Sequence, residues 1–187
     1  MKGLFQLAEE VQEICKRNQW DFCFIGGLAV QRWGEPRLTV DIDLTLFTGF
    51  GREEVFIDEL LKNYTGRRRD TKEFALMSRV LLLQSTDKIG IDIALGALPF
   101  EKKLMKRASY YEFLPGLKLL TCSAEDLIVL KSFAARPKDW LDVEGVIIRQ
   151  DNKFDWGYIH KQLKPLCELK EAPEIMDKLN SLREDFT

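Results

Sequence analysis

The chain has 187 residues, of which 45% are hydrophobic and 31% charged, the balance of an ordinary globular protein. A chain of this length buries roughly 70% of its unfolded surface, so it folds without a disulfide or a structural metal. The formal net charge of -2 does not indicate a protein that coats nucleic acid. Its four cysteines form no CxxC pair and it has one histidine, so no zinc site is expected, and scattered cysteines fit a reducing cytosol.

The sequence does not predict a secretory or membrane protein. Residues 1–15 form an acidic amphipathic stretch without a basic n-region, unlike a signal peptide. No apolar run reaches the ~18 residues that span a bilayer. We therefore expect a cytoplasmic protein with no membrane partner.

The first part of the chain is predicted to mix helices and strands. Apolar periodicity predicts helices over residues 3–18, 28–33, 52–63 and 100–107, and strands over 22–25, 39–47, 74–84, 88–95, 110–114 and 117–120. In the 39–47 strand the alternation puts one set of side chains on the apolar face, namely Val40, Ile42, Leu44 and Leu46. Asp41 and Asp43 lie on the opposite face.

The last part of the chain is predicted to be helical. Ser123 and Asp126 approximate a capping box, so a helix begins near residue 124, and it ends before Pro137. Three more helices are predicted over residues 139–149, 155–167 and 172–184. The predicted fold class is α/β (α+β), a small mixed β-sheet flanked by helices, with a core at residues 1–121 and a helical C-terminal region at residues 122–187 packed on it.

Three aspartates form the most informative pattern of the chain. Asp41 and Asp43 share a strand face, and Asp92 lies in the middle of another predicted strand, so the three converge if the strands are neighbours. Two carboxylates about 4 Å apart repel by roughly 4 kcal/mol at an effective dielectric near 20. Oxygen ligands suit Mg²⁺ or Mn²⁺, and a pair of such ions activates a hydroxyl and stabilises leaving pyrophosphate. The alternative is that Asp41 and Asp43 merely line the polar face of a half-exposed strand.

A pair of glycines precedes these aspartates. Gly26 and Gly27 end a predicted strand and open a predicted helix. Glycines at this position allow the backbone to approach a ligand closely, and the amides of a helix N-terminus attract phosphate. The alternative is a plain tight turn.

These residues resemble the motif of the polymerase-β nucleotidyltransferase superfamily. Its pattern is an apolar residue with Gly-Gly or Gly-Ser, a gap of about a dozen residues, Asp-x-Asp and a later strand aspartate; here Ile25-Gly26-Gly27, Asp41-Ile42-Asp43 and Asp92 match it. The resemblance implies that Asp41 and Asp43 bind both metal ions and that Asp92 helps to activate the acceptor hydroxyl. It also implies that Gly26 and Gly27 contact the triphosphate.

A second resemblance is to the AbiEii-type nucleotidyltransferases, minimal bacterial enzymes that include toxins of toxin–antitoxin systems. Residues 37–44, Arg-Leu-Thr-Val-Asp-Ile-Asp-Leu, resemble the Arg-x-Thr/Ser-x-Asp-x-Asp run of that group. The segment that holds Lys131, Arg136, Asp139 and Asp142 is similar to its downstream signature, and the match spans about residues 22–148. The resemblance implies a catalytic core at residues 1–121.

The resemblance also suggests Lys131 as a catalytic residue beside the aspartates. Further nucleotide-binding residues that it suggests are Arg37, Thr39, Lys131, Arg136 and Asp139. A lysine at position 131 can extend to a triphosphate as a point charge, and Arg37 can neutralise either the carboxylates or a phosphate. Asp139 and Asp142 lie one helical turn apart, where they can hold Lys131 or Arg136 in place. The alternative is a salt-bridge network that joins two helices.

Together these patterns predict a nucleotidyltransferase that uses Mg²⁺ or Mn²⁺ and a nucleoside triphosphate. The acceptor is expected to be RNA, a tRNA end or a protein hydroxyl. A toxin role and an antitoxin partner are further hypotheses. One rival is transfer to a small molecule of the aminoglycoside type, and another is a silent nucleotidyltransferase-like binding domain. A basic groove around residues 67–69 or 102–107 would favour RNA, and an acidic acceptor pocket a small molecule. By themselves, the two basic runs are interpreted as a solvated loop and a solvated face.

Overall fold

A computed structural model describes residues 3–151 and 153–186 of the chain. The outermost residues of both predicted domains and Asn152 therefore lie outside the described residues. The chain divides into two compact units: the first contains the residues up to Leu28 and Leu38–Cys122, and the second contains Ala29–Arg37 and the chain from Ser123 onward. The helical unit therefore also takes in a short segment that precedes the aspartate strand.

The first unit is built on a mixed β-sheet. Within the described residues its elements are α1 (Leu4–Arg17), β1 (Phe22–Phe24), the start of α2 (Gly26–Trp33), β2 (Asp41–Phe47), α3 (Glu53–Leu61), β3 (Thr65–Gly66), α4 (Thr71–Ser78), β4 (Val80–Gln84), β5 (Gly90–Gly96), α5 (Pro99–Arg107), β6 (Ser109–Leu114) and β7 (Leu117–Thr121). In the described part of the chain, the seven strands pair in the order β3-β4-β5-β2-β1-β7-β6. The pairs β2·β5 and β1·β7 are parallel and the others antiparallel. The predicted mixed α/β class is confirmed.

The centre of this sheet is buried by the apolar faces of its strands. Ile42 and Leu44 of β2 and Ile91 and Ile93 of β5 have no exposed surface. The alternation read from the sequence is thus confirmed for these strands. It is wrong for Val40, which is 71% exposed because β2 begins at Asp41.

The segment predicted as one strand over residues 74–84 contains two elements. Residues 71–78 form α4, in which Thr71 and Ala75 are buried one turn apart. Arg79 then adopts the left-handed conformation (φ 58°), which ends the helix before β4 begins. The prediction failed because a short apolar run fits a strand and a helix equally well.

The second unit is helical, as predicted for the C-terminal part. It contains the end of α2, α6 (Ala124–Ala134), α7 (Pro137–Arg149), α8 (Trp156–Lys170) and α9 (Glu174–Asp185). The side-chain oxygen of Ser123 accepts a hydrogen bond from the Asp126 amide at 3.1 Å, which caps α6. None of the helices in the described part of the chain is long and apolar enough to cross a bilayer.

The end of α7 holds the segment 29–37 in the helical unit. Arg149 Nη1 donates hydrogen bonds to the carbonyl oxygens of Gln31 (3.1 Å) and Gly34 (2.5 Å). The Gln150 side chain donates to the Trp33 carbonyl at 2.9 Å. These bonds satisfy carbonyl groups at the C-terminal end of α2 and in the turn after it.

Candidate active site

The register of two parallel strands sets the spacing of the predicted carboxylates. In the β2·β5 pair, Asp43 lies opposite Asp92 and Asp41 lies opposite Gly90. Paired residues of neighbouring strands point to the same face of a sheet, so the three aspartates share one face. The Asp92 side chain is 31% exposed and does not enter the apolar interior. The strand adjacency that the metal hypothesis requires is therefore present.

Gly26 allows Asp43 to approach the start of α2. A Cβ atom at this position would lie 2.0 Å from Asp43 Oδ2, so any side chain would collide with that carboxylate. The glycine also has a positive φ of 54°, which L-residues rarely adopt. The amide of Gly27 faces the same oxygen at 3.4 Å. The glycine pair thus brings the helix N-terminus against a carboxylate.

Thr39 occupies the space beside Gly27. A Cβ atom on Gly27 would lie 2.3 Å from Thr39 Oγ1. The threonine hydroxyl lies 3.2 Å from both the backbone oxygen and the Oδ1 atom of Asp41. Because a hydroxyl donates one hydrogen, it alternates between these two acceptors and restrains the Asp41 side chain.

Arg67 is a residue of this site that the sequence analysis missed. Its guanidinium Nη2 atom donates a hydrogen bond to Asp92 Oδ1, and the two side chains form an ion pair. The interpretation of the arginine run as a merely solvated loop is therefore wrong for Arg67. A signal was present in the sequence, because three neighbouring carboxylates require nearby positive charge, and a metal ion is not the only source of it.

Asp92 lies in an electrostatically mixed environment. Partial burial raises the pKa of its carboxyl group, the positive charge of Arg67 lowers it, and the negative charges of Asp43 and Asp41 raise it, with a net increase above the ordinary value. In the described part of the chain, no three His, Cys, Asp or Glu side chains are grouped closely enough to hold a metal ion as they stand. The structure thus gathers the aspartates on one face, with Asp92 engaged by an arginine.

The donor atoms at this face fit a hard divalent cation. Asp41, Asp43 and Asp92 offer only carboxylate oxygens, the ligands that Mg²⁺ and Mn²⁺ prefer. The close approach of Gly26 to Asp43 also places that carboxylate beside the backbone at the start of α2. These residues would hold the ion, and Asp92 would then exchange its contact with Arg67 for one with the cation.

The predicted residues of the second unit form a buried ionic network. Lys131 Nζ lies 2.8 Å from an oxygen of Asp139 and 2.8 Å from an oxygen of Asp142. Arg37 binds Asp142 with two hydrogen bonds, of 2.7 and 2.9 Å. Arg136 binds Asp139 with two hydrogen bonds, of 2.5 and 3.2 Å. The structure therefore brings Arg37, Lys131 and Arg136 together with Asp139 and Asp142. Thr39, which the resemblance also suggested, belongs to the first unit.

This network pairs three cations with two carboxylates and carries a surplus of positive charge. Burial alone raises the pKa of Asp139 and of Asp142, but hydrogen bonds from Arg136, Arg37 and Lys131 outweigh it, so both pKa values lie below the ordinary 3.8. Both aspartates are therefore ionised at neutral pH. The arrangement matches the salt-bridge network that was the alternative to a nucleotide site, and Arg37 neutralises Asp142 within this unit.

The fold is that of a nucleotidyltransferase. An antigenic nucleotidyltransferase-like protein from Paracoccidioides brasiliensis matches it with a TM-score of 0.50 and 15% identity, over 95% of this chain and 90% of that one. Two further structures have TM-scores of 0.49. They are ANT(2")-Ia in complex with adenylyl-2"-tobramycin (15% identity, 98% of both chains) and the lincomycin-bound lincosamide adenylyltransferase LnuA (14% identity, 73% of this chain and 92% of that one).

The sequence assigns the family. Residues 17–151 match the model of the AbiEii nucleotidyl transferase toxins of type IV toxin–antitoxin systems. The chain therefore belongs to the AbiEii nucleotidyl transferase family, and the predicted resemblance is confirmed. No curated protein sequence matches the chain.

The approach of Gly26 to Asp43 is testable with a pair of glycine substitutions. Gly26 and Gly116 both have a positive φ (54° and 80°), but a Cβ atom on Gly116 would meet nothing within 4 Å. We expect Gly116→Ala to cost about 1 kcal/mol of unfolding free energy through backbone strain. Gly26→Ala should cost about 2 kcal/mol more, because it adds a collision. Urea unfolding measures both losses, and equal losses of unfolding free energy in the two variants would contradict the close approach of Gly26 to Asp43.

The ionic network is testable through the pH dependence of stability. Lys131→Met leaves two buried carboxylates with less positive charge, so we expect a loss of about 3 kcal/mol near neutral pH. Since both aspartates have depressed pKa values, their contribution is present above pH 3.8 and is lost as the pH falls below it. The difference between wild type and variant should therefore shrink toward pH 3.

Urea unfolding at both pH values measures this difference. Lys138→Met is the matched control, because it removes an exposed lysine seven positions along the chain. It should change the free energy of unfolding by less than about 0.5 kcal/mol at either pH. A Lys131→Met loss of the same size at both pH values would mean that Lys131 acts through packing alone.

Proposed function

We propose that this protein transfers a nucleoside monophosphate from a nucleoside triphosphate to a hydroxyl group of RNA, with a divalent cation held by Asp41, Asp43 and Asp92. The observation that carries the proposal is the in-register parallel pairing of Asp43 with Asp92, with Asp41 on the same face. The family supports nucleotidyl transfer in general. The metal, the acceptor and the role of each residue are part of the proposal.

The reaction forms a bond between the acceptor oxygen and the α-phosphorus and breaks the bond between that phosphorus and the bridging oxygen of pyrophosphate. The hydroxyl proton passes to a carboxylate of the site, for which we propose Asp92. A bound Mg²⁺ or Mn²⁺ would lower the pKa of the hydroxyl and neutralise charge on the leaving pyrophosphate. The remaining contribution is positioning, which Asp41 and Asp43 supply from a rigid central strand.

Phosphate binding is proposed for the remaining predicted residues. The amides of Gly26 and Gly27 stand at the start of a helix, where the backbone carries partial positive charge. In the second unit, Lys131 uses two of its three N–H donors on Asp139 and Asp142, which leaves one for a substrate oxygen. Arg136 is largely exposed beside them and adds a guanidinium suited to phosphate. In this proposal Arg37 and Asp139 orient these cations, and Thr39 restrains Asp41.

The charge around Asp92 favours RNA over a cationic small molecule as acceptor. Arg67 contacts Asp92 directly and places a guanidinium beside the aspartates. An aminoglycoside-type acceptor is itself positively charged and would be repelled by this guanidinium. A cleft with three glutamates, Glu9, Glu10 and Glu13, does exist on α1, but none of the three catalytic aspartates lines it. A silent domain would have no need to keep Asp41 and Asp43 together on one strand face.

The family's toxin description motivates one further part of the proposal. Transfer of a nucleotide to a cellular RNA would block that RNA, and such an activity needs restraint by an antitoxin partner. We therefore propose a cytoplasmic toxin role, in which the attachment of the nucleotide to RNA is the toxic event.

The proposed function is testable by labelling. Purified protein is incubated with Mg²⁺ and each α-labelled triphosphate, together with total cellular RNA, protein extract or an aminoglycoside. We expect label in RNA, and we expect Asp41→Asn/Asp43→Asn to lower it by at least about a hundredfold, since metal charge stabilisation is worth several kcal/mol.

The matched control is Asp58→Asn, which removes a carboxylate of an exposed ion pair with Lys72 and should leave labelling unchanged. Label in protein or aminoglycoside but not in RNA would reassign the acceptor. No label in any fraction, with a folded wild-type protein, would favour the silent domain.

A further inference from the structure

The side chain of Arg67 runs across the sheet along a row of residues that are paired between neighbouring strands. The Arg67 amide donates a hydrogen bond to the Leu82 carbonyl at 3.0 Å. Leu82 is paired with Asp92, and Asp92 with Asp43. Because paired residues share a face, the arginine begins on the same face as the aspartates and two strands away from Asp92. Its long side chain spans that distance and ends in the ion pair with Asp92.

Gly90 provides the space for this crossing. A Cβ atom on Gly90 would lie 3.2 Å from Arg67 Nη1 and 3.2 Å from the Cβ atom of Asp41. Any larger residue at position 90 would therefore crowd the guanidinium or the aspartate. The guanidinium thus lies beside the bare backbone of Gly90 and pairs with Asp92.

Arg67 and a divalent cation compete for the same carboxylate. A guanidinium that donates to Asp92 Oδ1 engages the same carboxylate that a metal ion shared with Asp43 would need. Both partners are cations, so placing them together on one carboxylate is electrostatically costly. Binding of the ion therefore displaces the arginine.

The displaced guanidinium remains within a side chain's reach of the site. Its planar fork of N–H donors matches phosphate oxygens better than a lysine ammonium does. The anions that the proposed reaction brings to this face are phosphates, either of the triphosphate or of the RNA backbone. Arg67 is thus positioned to exchange a carboxylate partner for a phosphate partner.

We propose that Arg67 is a phosphate-binding residue that pairs with Asp92 until a divalent cation takes its place. The inference rests on the proposed function, because it requires a cation at the aspartates. It assigns two opposite effects to one residue: Arg67 weakens the binding of the metal alone and strengthens the binding of the phosphate substrate once the metal is present.

The first arm of the test measures metal binding without substrate. The amount of unbound Mn²⁺ is followed by electron paramagnetic resonance during titration of the whole protein. Arg67→Met should bind Mn²⁺ about threefold to fivefold more tightly, the effect of losing a partly exposed ion pair. The gain should vanish when Asp92→Asn is added to Arg67→Met. Arg69→Met, the same change at an exposed residue of the same run, should leave the affinity within about twofold of wild type.

The second arm measures phosphate binding at saturating Mn²⁺. An α,β-methylene triphosphate, which is not cleaved, and a short RNA are titrated separately by calorimetry. Arg67→Met should weaken one of them about tenfold or more, and the ligand affected identifies the phosphate that Arg67 binds, since charged hydrogen bonds are the strong ones. Arg67→Lys should recover part of that affinity, and Arg69→Met should bind both ligands as wild type does.

The outcomes separate the two proposals. If Asp41→Asn/Asp43→Asn does not weaken Mn²⁺ binding, the ion lies elsewhere, and both the proposed function and this inference fail. If it does, but Arg67→Met binds Mn²⁺ no more tightly than wild type, the inference alone is overturned. A variant that binds Mn²⁺ more tightly while both phosphate ligands bind unchanged also overturns it, because Arg67 would then be only a counter-ion.

Discussion

The parallel pairing of β2 with β5 is the constraint on which the candidate site depends. It places Asp43 directly opposite Asp92, at a fixed strand separation in the middle of the sheet. Apolar side chains on the other face, such as Ile42 and Ile91, are fully buried and fix the register. A slip of one residue would turn these side chains outward and the aspartates inward, so core packing maintains the spacing of the carboxylates.

Local patterns predicted much of the fold and part of the site. The alternation around Asp41 and Asp43 predicted a strand with an acidic face, and the glycine pair predicted a close backbone approach. The structure adds a close approach that the sequence did not predict, between these glycines and the side chains of Asp43 and Thr39. Sequence spacing could not show this, since residues 26 and 43 are brought together only by the pairing of β1 with β2.

Two features could not be predicted from the sequence, for physical reasons. The helix α4 was read as a strand, because its apolar run is too short for periodicity to distinguish the two. Arg67 was read as a solvated charge, because its contact with Asp92 depends on strand pairing between residues far apart in the chain. Arg67 also offsets part of the electrostatic repulsion among the three aspartates.

The ionic network of the second unit has a structural role whatever its part in catalysis. Lys131, Asp139 and Asp142 are buried together, and each charge has a partner of opposite sign. Removing one member leaves the others buried with less charge compensation, which is why such networks are costly to break. A loss of activity after a change in this network therefore needs a stability measurement beside it before a substrate contact is inferred.

The central claim is that carboxylates from two adjacent strands share a divalent cation. Anomalous diffraction from crystals grown with Mn²⁺ and an uncleavable triphosphate tests it directly. The account predicts a manganese peak about 2.0–2.2 Å from oxygens of both Asp43 and Asp92, with Arg67 turned away from Asp92. A manganese ion bound elsewhere, or one bound while Arg67 still holds Asp92, would contradict it.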